Sequence, residues 1–308
     1  MGKRGIAVPY LTDEGKEQSM KILVTGATGG LGGTAIQSLL DTYEVPAEQV
    51  VALARDPGKL SGRIPAEIEV RQGDYSDPGS LAKAFTAIDR LLFIPGPDRD
   101  NTLRVLQNAN VVKAARDAGI KHIIYTGFAF AEKSTSPVAA VHLATEYMIR
   151  TTGIPYTFLR NSFYGDLFVS PVLKQSVERG AIVTNSGNGR VNTVFRRDLA
   201  RAAAAVLAGE GHENQSYNLV LSEPWTFDEL AMTASEISGK KVAHVSVSFE
   251  EQKAMLVNAG MPESLALVFA GIYASVANGE TADASDDLNR LIGEPTPLKE
   301  LVRQTLQG

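Results

Sequence analysis

Lys21-Ile22-Leu23-Val24-Thr25-Gly26-Ala27-Thr28-Gly29-Gly30-Leu31-Gly32-Gly33 is the stretch whose reading decides the fold. Ile22, Leu23 and Val24 form a short apolar run of the kind a parallel strand buries on both faces. Gly26, Gly29 and Gly32 follow at a spacing of three. One allows a tight turn, one lets backbone approach a pyrophosphate, and one lets the next helix pack close to the strand. Free backbone N–H groups and the helix dipole then face an anion. Leu31, Ile36, Leu39 and Leu40 give that helix its apolar face. A glycine cluster alone makes a bland turn, so the context must carry the motif.

Working outward, the context fits. A second strand, Val50–Ala54, ends at Arg55-Asp56, with Lys59 four residues beyond Arg55. An acidic residue there binds ribose hydroxyls, whereas Arg accommodates a 2′-phosphate. Arg55 and Lys59 favour NADPH; Asp56 is either a ribose ligand or a cap for the turn at Pro57-Gly58. A third strand, Ile68–Arg71, leads to Gly73-Asp74, and Asp77-Pro78 opens a helix with Asp at the cap and Pro in the first turn. The fourth strand, Leu91–Ile94, runs into Pro95-Gly96-Pro97 with no polar side chain at once behind it, so backbone at Phe93, Ile94 and Pro95 must line what lies there. A helix from about Asn101 to Ala118 buries Leu103, Val105, Leu106, Val111, Val112 and Ala115 and stops at Gly119. Strand five, His122–Thr126, ends at Gly127-Phe128. The alternation predicts an α/β fold: a Rossmann-like doubly wound parallel sheet with a smaller, mainly helical C-terminal lobe.

Composition narrows the class. The chain has 308 residues, no Cys and a formal charge of −5. No disulfide is possible, and the acidic balance without a basic run argues against nucleic acid as a partner. No apolar run suits a membrane span, and residues 1–19 lack the apolar centre of a signal peptide, so the expected location is cytoplasmic. Residues 1–19 are expected to be a flexible N-terminal extension, residues 20–160 the NAD(P)-binding domain, and residues 161–308 mainly a substrate-binding lobe. Segments at about 190–222 are expected to return to the first domain. There, Asp198 caps or opens an alanine-rich helix and Tyr217–Val220 forms a strand. Thr226 and Glu229 form a capping box, while Met255, Met261, Phe269 and Tyr273 either supply core or roof the substrate cleft. The four His are scattered without ligand spacing, so no metal is expected, and no G-x-S-x-G elbow marks a hydrolase.

T-G-A-T-G-G-L-G at 25–32 resembles the atypical short-chain dehydrogenase/reductases, above all their NmrA-like branch. Gly153-Ile-Pro-Tyr-Thr157 is a strong mark of that branch. Ordinary members carry Tyr-x-x-x-Lys, yet none of the nine Tyr here has Lys four residues on. Counted back from Gly153, His142 stands where isoflavone-reductase relatives carry an active-site Lys. His142–Tyr147, Ile154–Asn161, Gly180–Asn185, Pro224–Leu230 and Thr296–Glu300 are similar to the triphenylmethane reductases within the branch and, in part, to type-2 quinone oxidoreductases.

The resemblance implies an NADPH-dependent reductase of cationic triarylmethane dyes and perhaps quinones, with a homodimer left open. Cofactor contacts are then expected from Gly26, Thr28, Gly29, Gly30, Leu31, Gly32, Arg55, Lys59, Gly73, Asp74, Phe93, Ile94, Pro95, Thr126, Gly127, Phe128 and His142. The catalytic candidates are His142, Asn161 and Tyr164. Phe128, Phe130, Phe163, Tyr164 and Trp225 are the candidate walls for a flat aromatic substrate, since ring faces favour a delocalised cation. Each aromatic taken singly is as readily a core residue. At its unperturbed pKa, His142 suits either a neutral hydrogen-bonding role or proton transfer. Two other readings compete: an NAD(P)-sensing regulator of the NmrA type, favoured by the missing Tyr-Lys pair, and a sugar-nucleotide epimerase, disfavoured by it.

Overall fold

A computed structural model describes residues 10–11, 17–134 and 136–307, with side chains from Ser19 onward. The expected extension at residues 1–19 lies largely outside the described residues. Within it, Tyr10–Leu11 pairs antiparallel with Glu17–Gln18. The chain divides into two compact units. The first comprises residues 1–161, 196–219 and 290–292, and the second residues 162–195, 220–289 and 293–308.

The first unit is built on seven parallel strands: β1 (Ile22–Val24), β2 (Val50–Ala54), β3 (Glu69–Gln72), β4 (Arg90–Phe93), β5 (His122–Phe128), β6 (Tyr156–Asn161) and β7 (Gln215–Leu219). Their order across the sheet is β7-β6-β5-β4-β1-β2-β3. The helices are α1 (Gly30–Asp41), α2 (Pro78–Ala84), α3 (Asn101–Asp117), α4 (Pro137–Thr151) and α5 (Arg196–Ala208). Every residue of β1, β2 and β4 is buried. This is why their sequences are continuous apolar runs rather than alternating ones, apart from Arg90, whose guanidinium donates to Leu207 O and Gly209 O. β1 pairs with β2 on one side (Leu23 opposite Val51) and with β4 on the other (Leu23 opposite Leu91). The chain therefore winds outward through β2 and β3, then returns to β4, leaving its switch point between β1 and β4. Ligands of open α/β sheets bind in the crevice outside the strand ends at such a point.

Local signals hold at most boundaries. Asp77 caps α2 through Gly79 and Ser80 N–H, and Asp100 caps α3 through Thr102 and Leu103 N–H. β5 runs two residues beyond the expected stop, so Gly127 and Phe128 are strand residues. Asp198 lies in the first turn of α5, buried, taking a hydrogen bond from Arg201 at 3.0 Å. One expectation fails on α3. Leu103 and Leu106 are 37% and 59% exposed; its buried residues are Asn108, Val111, Val112, Ala114 and Ala115.

The second unit is mainly helical with short strands. Thr226 and Glu229 form the expected reciprocal capping box on the helix Phe227–Ser238. Its core gathers Trp225, Phe227, Leu230, Val276 and Val302. Met255 is 43% exposed and is no core residue. No helix among the described residues is long and apolar enough to cross a membrane.

Candidate active site

At the switch point the glycine turn takes a definite form. Gly26 adopts φ +63°, a left-handed conformation that only glycine holds without strain. Its carbonyl accepts the Gly29 N–H at 2.9 Å. A Cβ on Gly32 would lie 2.4 Å from Gly26 O, so α1 packs against the turn with no room for a side chain. Gly29, by contrast, would place a Cβ only 3.3 Å from Gly26 O and near nothing else. The chain thus leaves the Gly29 side open. Gly29 is also the N-cap of α1 without a side-chain cap, and no acidic residue lies in the first turn. Unspent N–H groups at the positive end of a helix, beside an open backbone, are what a dinucleotide diphosphate requires.

Two residues outside the glycine motif brace this turn. Thr25 Oγ1 accepts Ile94 N–H at 2.8 Å, tying the exits of β1 and β4 together. Tyr75 donates its hydroxyl to Ile94 O at 2.7 Å, and Ile94 in turn lies over Gly26. Sequence reading passed over both, although Thr25 stands inside the quoted stretch.

At the end of β2, Asp56 accepts Gly58 N–H at 3.1 Å and caps the short turn Pro57–Leu60. The Arg55 guanidinium makes no hydrogen bond or ion pair with another described residue, and Arg55 and Lys59 are both exposed. Asp74 Oδ1 accepts Ser76 N–H at 2.8 Å in a turn of its own. Other expected cofactor residues are constrained. Leu31, Phe93 and Thr126 point into the core at 6%, 0% and 4% exposure, so only their backbone can face a ligand.

His142 sits on α4, 7% exposed. Its Nδ1 is 2.7 Å from the Tyr125 hydroxyl, and Tyr125 is wholly buried on β5. One turn along, Thr145 donates its hydroxyl to Val141 O at 2.8 Å and accepts from Asn108 Nδ2 at 2.9 Å. Thr145 Oγ1 keeps a second lone pair beside Tyr125, so the Tyr125 hydroxyl either donates to Nδ1 or accepts from it, according to the imidazole tautomer. In the tautomer that accepts from Tyr125, the proton is on Nε2, which has no partner among the described residues and is not sealed from solvent. Burial, with the Arg104 cation adding to it, pushes His142 down to about 4, while burial raises Tyr125 above the usual phenol range. His142 is therefore neutral near pH 7 and presents a single N–H donor.

Around it, Phe128 stacks on His142 at 6.3 Å and 26°. Phe130 holds a left-handed conformation, φ +51°, pinned by Asn218 Oδ1 accepting its N–H at 3.1 Å. Lys133 Nζ lies 5.2 Å from the Phe130 ring centroid, so that ring already serves a cation. Asn161, at the end of β6, has a buried Oδ1 without a hydrogen-bond partner. Behind these, Arg160 forks onto Glu146 at 2.9 and 2.7 Å and reaches Glu132 at 2.6 Å. This pair fixes α4, and hence His142, against β6. Glu146 lies four residues after His142 on α4, a spacing that places both on one helix face.

The structure thus brings the glycine turn to the switch point and His142, Phe128 and Tyr125 together. Phe163, Tyr164 and Trp225 belong to the second unit. Phe163 and Tyr164 are half-buried on a two-residue strand paired with Thr193–Val194. Trp225 is a correction. It is 5% exposed, packs edge-on against Phe168 and Phe227, and donates its indole N–H to Thr193 Oγ1 at 3.1 Å. Its ring is core, not a substrate wall.

The Citrobacter sp. triphenylmethane reductase complexed with NADP(H) is 60% identical, with 92% of this chain and 100% of that one covered and a TM-score of 0.90. The NADPH complex of the Escherichia coli quinone oxidoreductase QOR2 is 37% identical over 92% and 99% of the two chains, with a TM-score of 0.84. In sequence, Quinone oxidoreductase 2 of E. coli strain K12 is 37% identical over 275 residues, 89% of this chain and 94% of its own. The NmrA-like family profile matches residues 18–300. The chain belongs to the NmrA-like family.

Proposed function

We propose that this protein is an NADPH-dependent reductase of aromatic acceptors, taking cationic triphenylmethane dyes and quinones. The carrying observation is the open Gly29 side of the turn at the β1–β4 switch point, with Arg55 at the end of β2 uncommitted to any carboxylate of the described chain. The similarity to reductases crystallised with NADP(H) supports the cofactor. When bound, NADPH supplies the hydride.

The chain's own residues bind, orient and polarise. The α1 N-terminus and the glycine turn take the diphosphate; Arg55, with Lys59, takes the 2′-phosphate. Asp56 Oδ1 caps its own turn at Gly58, which supports giving the 2′-phosphate role to Arg55. His142 Nε2–H serves as a neutral donor toward a ribose hydroxyl or an acceptor oxygen, and Phe128 offers an aromatic face beside it. A triarylmethane dye is already a carbocation and needs no proton after hydride addition. A quinone gains negative charge on oxygen as hydride arrives, and an N–H donor there stabilises that charge.

Nicotinamide absorbance, followed with purified protein, tests the reading. Consumption of NADPH only when dye or quinone is added, one equivalent per acceptor reduced, is the expected result. NADPH binding without turnover over a panel of both acceptor classes would instead identify a sensor.

A further inference from the structure

Arg104 stands on α3, four residues before Asn108, so the two share one helix face. Asn108 Nδ2 donates to Thr145 Oγ1 at 2.9 Å, which fixes that face against α4. His142 precedes Thr145 by three residues, one turn nearer the start of α4. One turn beyond the Asn108–Thr145 contact, toward both helix starts, the same face brings Arg104 toward His142. Burial dominates the pKa of both His142 and Tyr125, and the Arg104 charge acts on each. α3 follows β4 and α4 follows β5, so both begin at the carboxyl ends of strands, the side on which ligands of such sheets bind.

A guanidinium carries five N–H donors. Arg104 spends one, in a long contact from Nη1 to Asn101 Oδ1 at 3.5 Å. Its Nε is buried without a hydrogen-bond partner. Its Nη2 has no partner among the described residues and is not sealed from solvent. The acids flanking it in sequence are engaged in their own loop, where Asp98 accepts Asp100 N–H and Asp100 accepts Thr102 and Leu103 N–H. Glu146, on the His142 face of α4, holds Arg160. Arg104 makes no ion pair with a described residue. Buried donors of a charged group are costly to leave unspent, so the arrangement calls for an acceptor from outside the chain.

We propose that the Arg104 guanidinium, with His142 Nε2–H, receives the oxygen of a quinone and favours acceptors that gain negative charge over those that arrive as cations. The proposal rests on the reductase reading above. The quinone takes a hydride, one proton with two electrons, as NADPH becomes NADP⁺. The hydroquinone monoanion so formed draws its second proton from water. Arg104 meets the negative charge that builds on oxygen in that step. A triarylmethane dye arrives positive and leaves neutral, so the same guanidinium opposes its binding.

Arg104→Met and Arg104→Lys test this with p-benzoquinone, the cationic dye crystal violet, and p-nitrophenolate as a non-reacting stand-in for the hydroquinone monoanion. Arg104→Met is expected to lower quinone kcat/KM by about 10- to 100-fold, the loss of a charge-assisted contact. It should lower the KM for crystal violet by about threefold, because a like charge has gone. In calorimetry, with and without NADP⁺, it should weaken p-nitrophenolate by about tenfold and leave neutral p-nitroanisole and NADPH unchanged. Arg104→Lys should recover part of each effect. Equal proportional losses on quinone and dye would overturn the proposal and leave Arg104 a structural role. Unchanged p-nitrophenolate affinity in Arg104→Met would overturn it as well, and a loss of NADPH affinity would move the guanidinium to the cofactor. Wild type that binds p-nitrophenolate through Arg104 yet reduces neither acceptor would overturn the reductase reading instead, and with it the quinone assigned to Arg104.

Discussion

If His142 acts as a neutral donor, quinone turnover should be flat with pH across the working range. The perturbation is pH itself, with His142→Ala as the reference. Burial and the Arg104 cation hold the imidazole at about 4. At pH 7 the imidazolium is then only about 10⁻³ of the population, and forming it costs about 4 kcal/mol. Were that imidazolium the acid that protonates the quinone, kcat would rise about tenfold for each pH unit lowered from 7.5 to 5.5. A neutral Nε2–H donor held by Tyr125 predicts no such rise, because the neutral form is essentially fully populated throughout. His142→Ala should lower quinone turnover by about tenfold, the worth of one hydrogen bond, and dye turnover less. This revises the expectation drawn from the sequence, where an unperturbed imidazole left proton transfer open. The assay is single-turnover reduction at saturating NADPH, so that product release does not mask chemistry. A tenfold-per-unit acid rise in wild type that disappears in His142→Ala would refute the reasoning, and so would an inflection near 6.5 dependent on His142.

Further outcomes follow from the same geometry. The lowered His142 pKa makes stability depend on pH: the neutral ring's contribution is fully present above about pH 6.5 and is lost as pH falls through about 4. Urea unfolding of wild type should therefore weaken by up to about 3 kcal/mol over that window, less so in His142→Gln. Arg55→Ala should weaken NADPH by about one to two decades and leave NADH nearly unchanged in a binding titration; equal losses would remove the 2′-phosphate assignment. Gly32→Ala forces a Cβ to 2.4 Å from Gly26 O and should destabilise the protein by about 1–3 kcal/mol without any ligand. Gly29→Val should keep the fold and lose NADPH, so a calorimetric melt and a titration separate the two glycines. Glu146→Gln weakens the buried fork on Arg160, which keeps Glu132 as a carboxylate partner, and should cost about 1.5–3 kcal/mol in chemical unfolding.

The sheet was legible because its cause is local. Continuous apolar runs at 22–24, 50–54 and 91–93, each followed by a turn signal, specify buried parallel strands and hence the switch point where Gly26 sits. The chemistry at Arg55 and Asp56 was legible as a pair of alternatives, and of the two uses weighed for Asp56 the structure shows the turn cap, one carboxylate oxygen accepting Gly58 N–H. What periodicity shows is an apolar stripe, not what covers it. Leu103 and Leu106 keep helical spacing on α3 yet lie exposed, and Trp225 at the start of a helix proved to be core. The Tyr125–His142 and Asn108–Thr145 contacts span 17 and 37 residues. Arg196 meets Gly30 from still farther along the chain. No local pattern announces such pairs, since the strand order that joins them is a property of the whole sheet.

The most direct measurement is stoichiometric. Purified protein is mixed with NADPH and a cationic triphenylmethane dye, and nicotinamide oxidation is followed together with loss of dye colour, in wild type and in Gly29→Val. One NADPH oxidised per dye bleached is expected in wild type, none without dye, and neither event in the variant. Tight NADPH binding with no oxidation by dye or quinone would contradict the proposed activity, and bleaching that survives in Gly29→Val would contradict it equally.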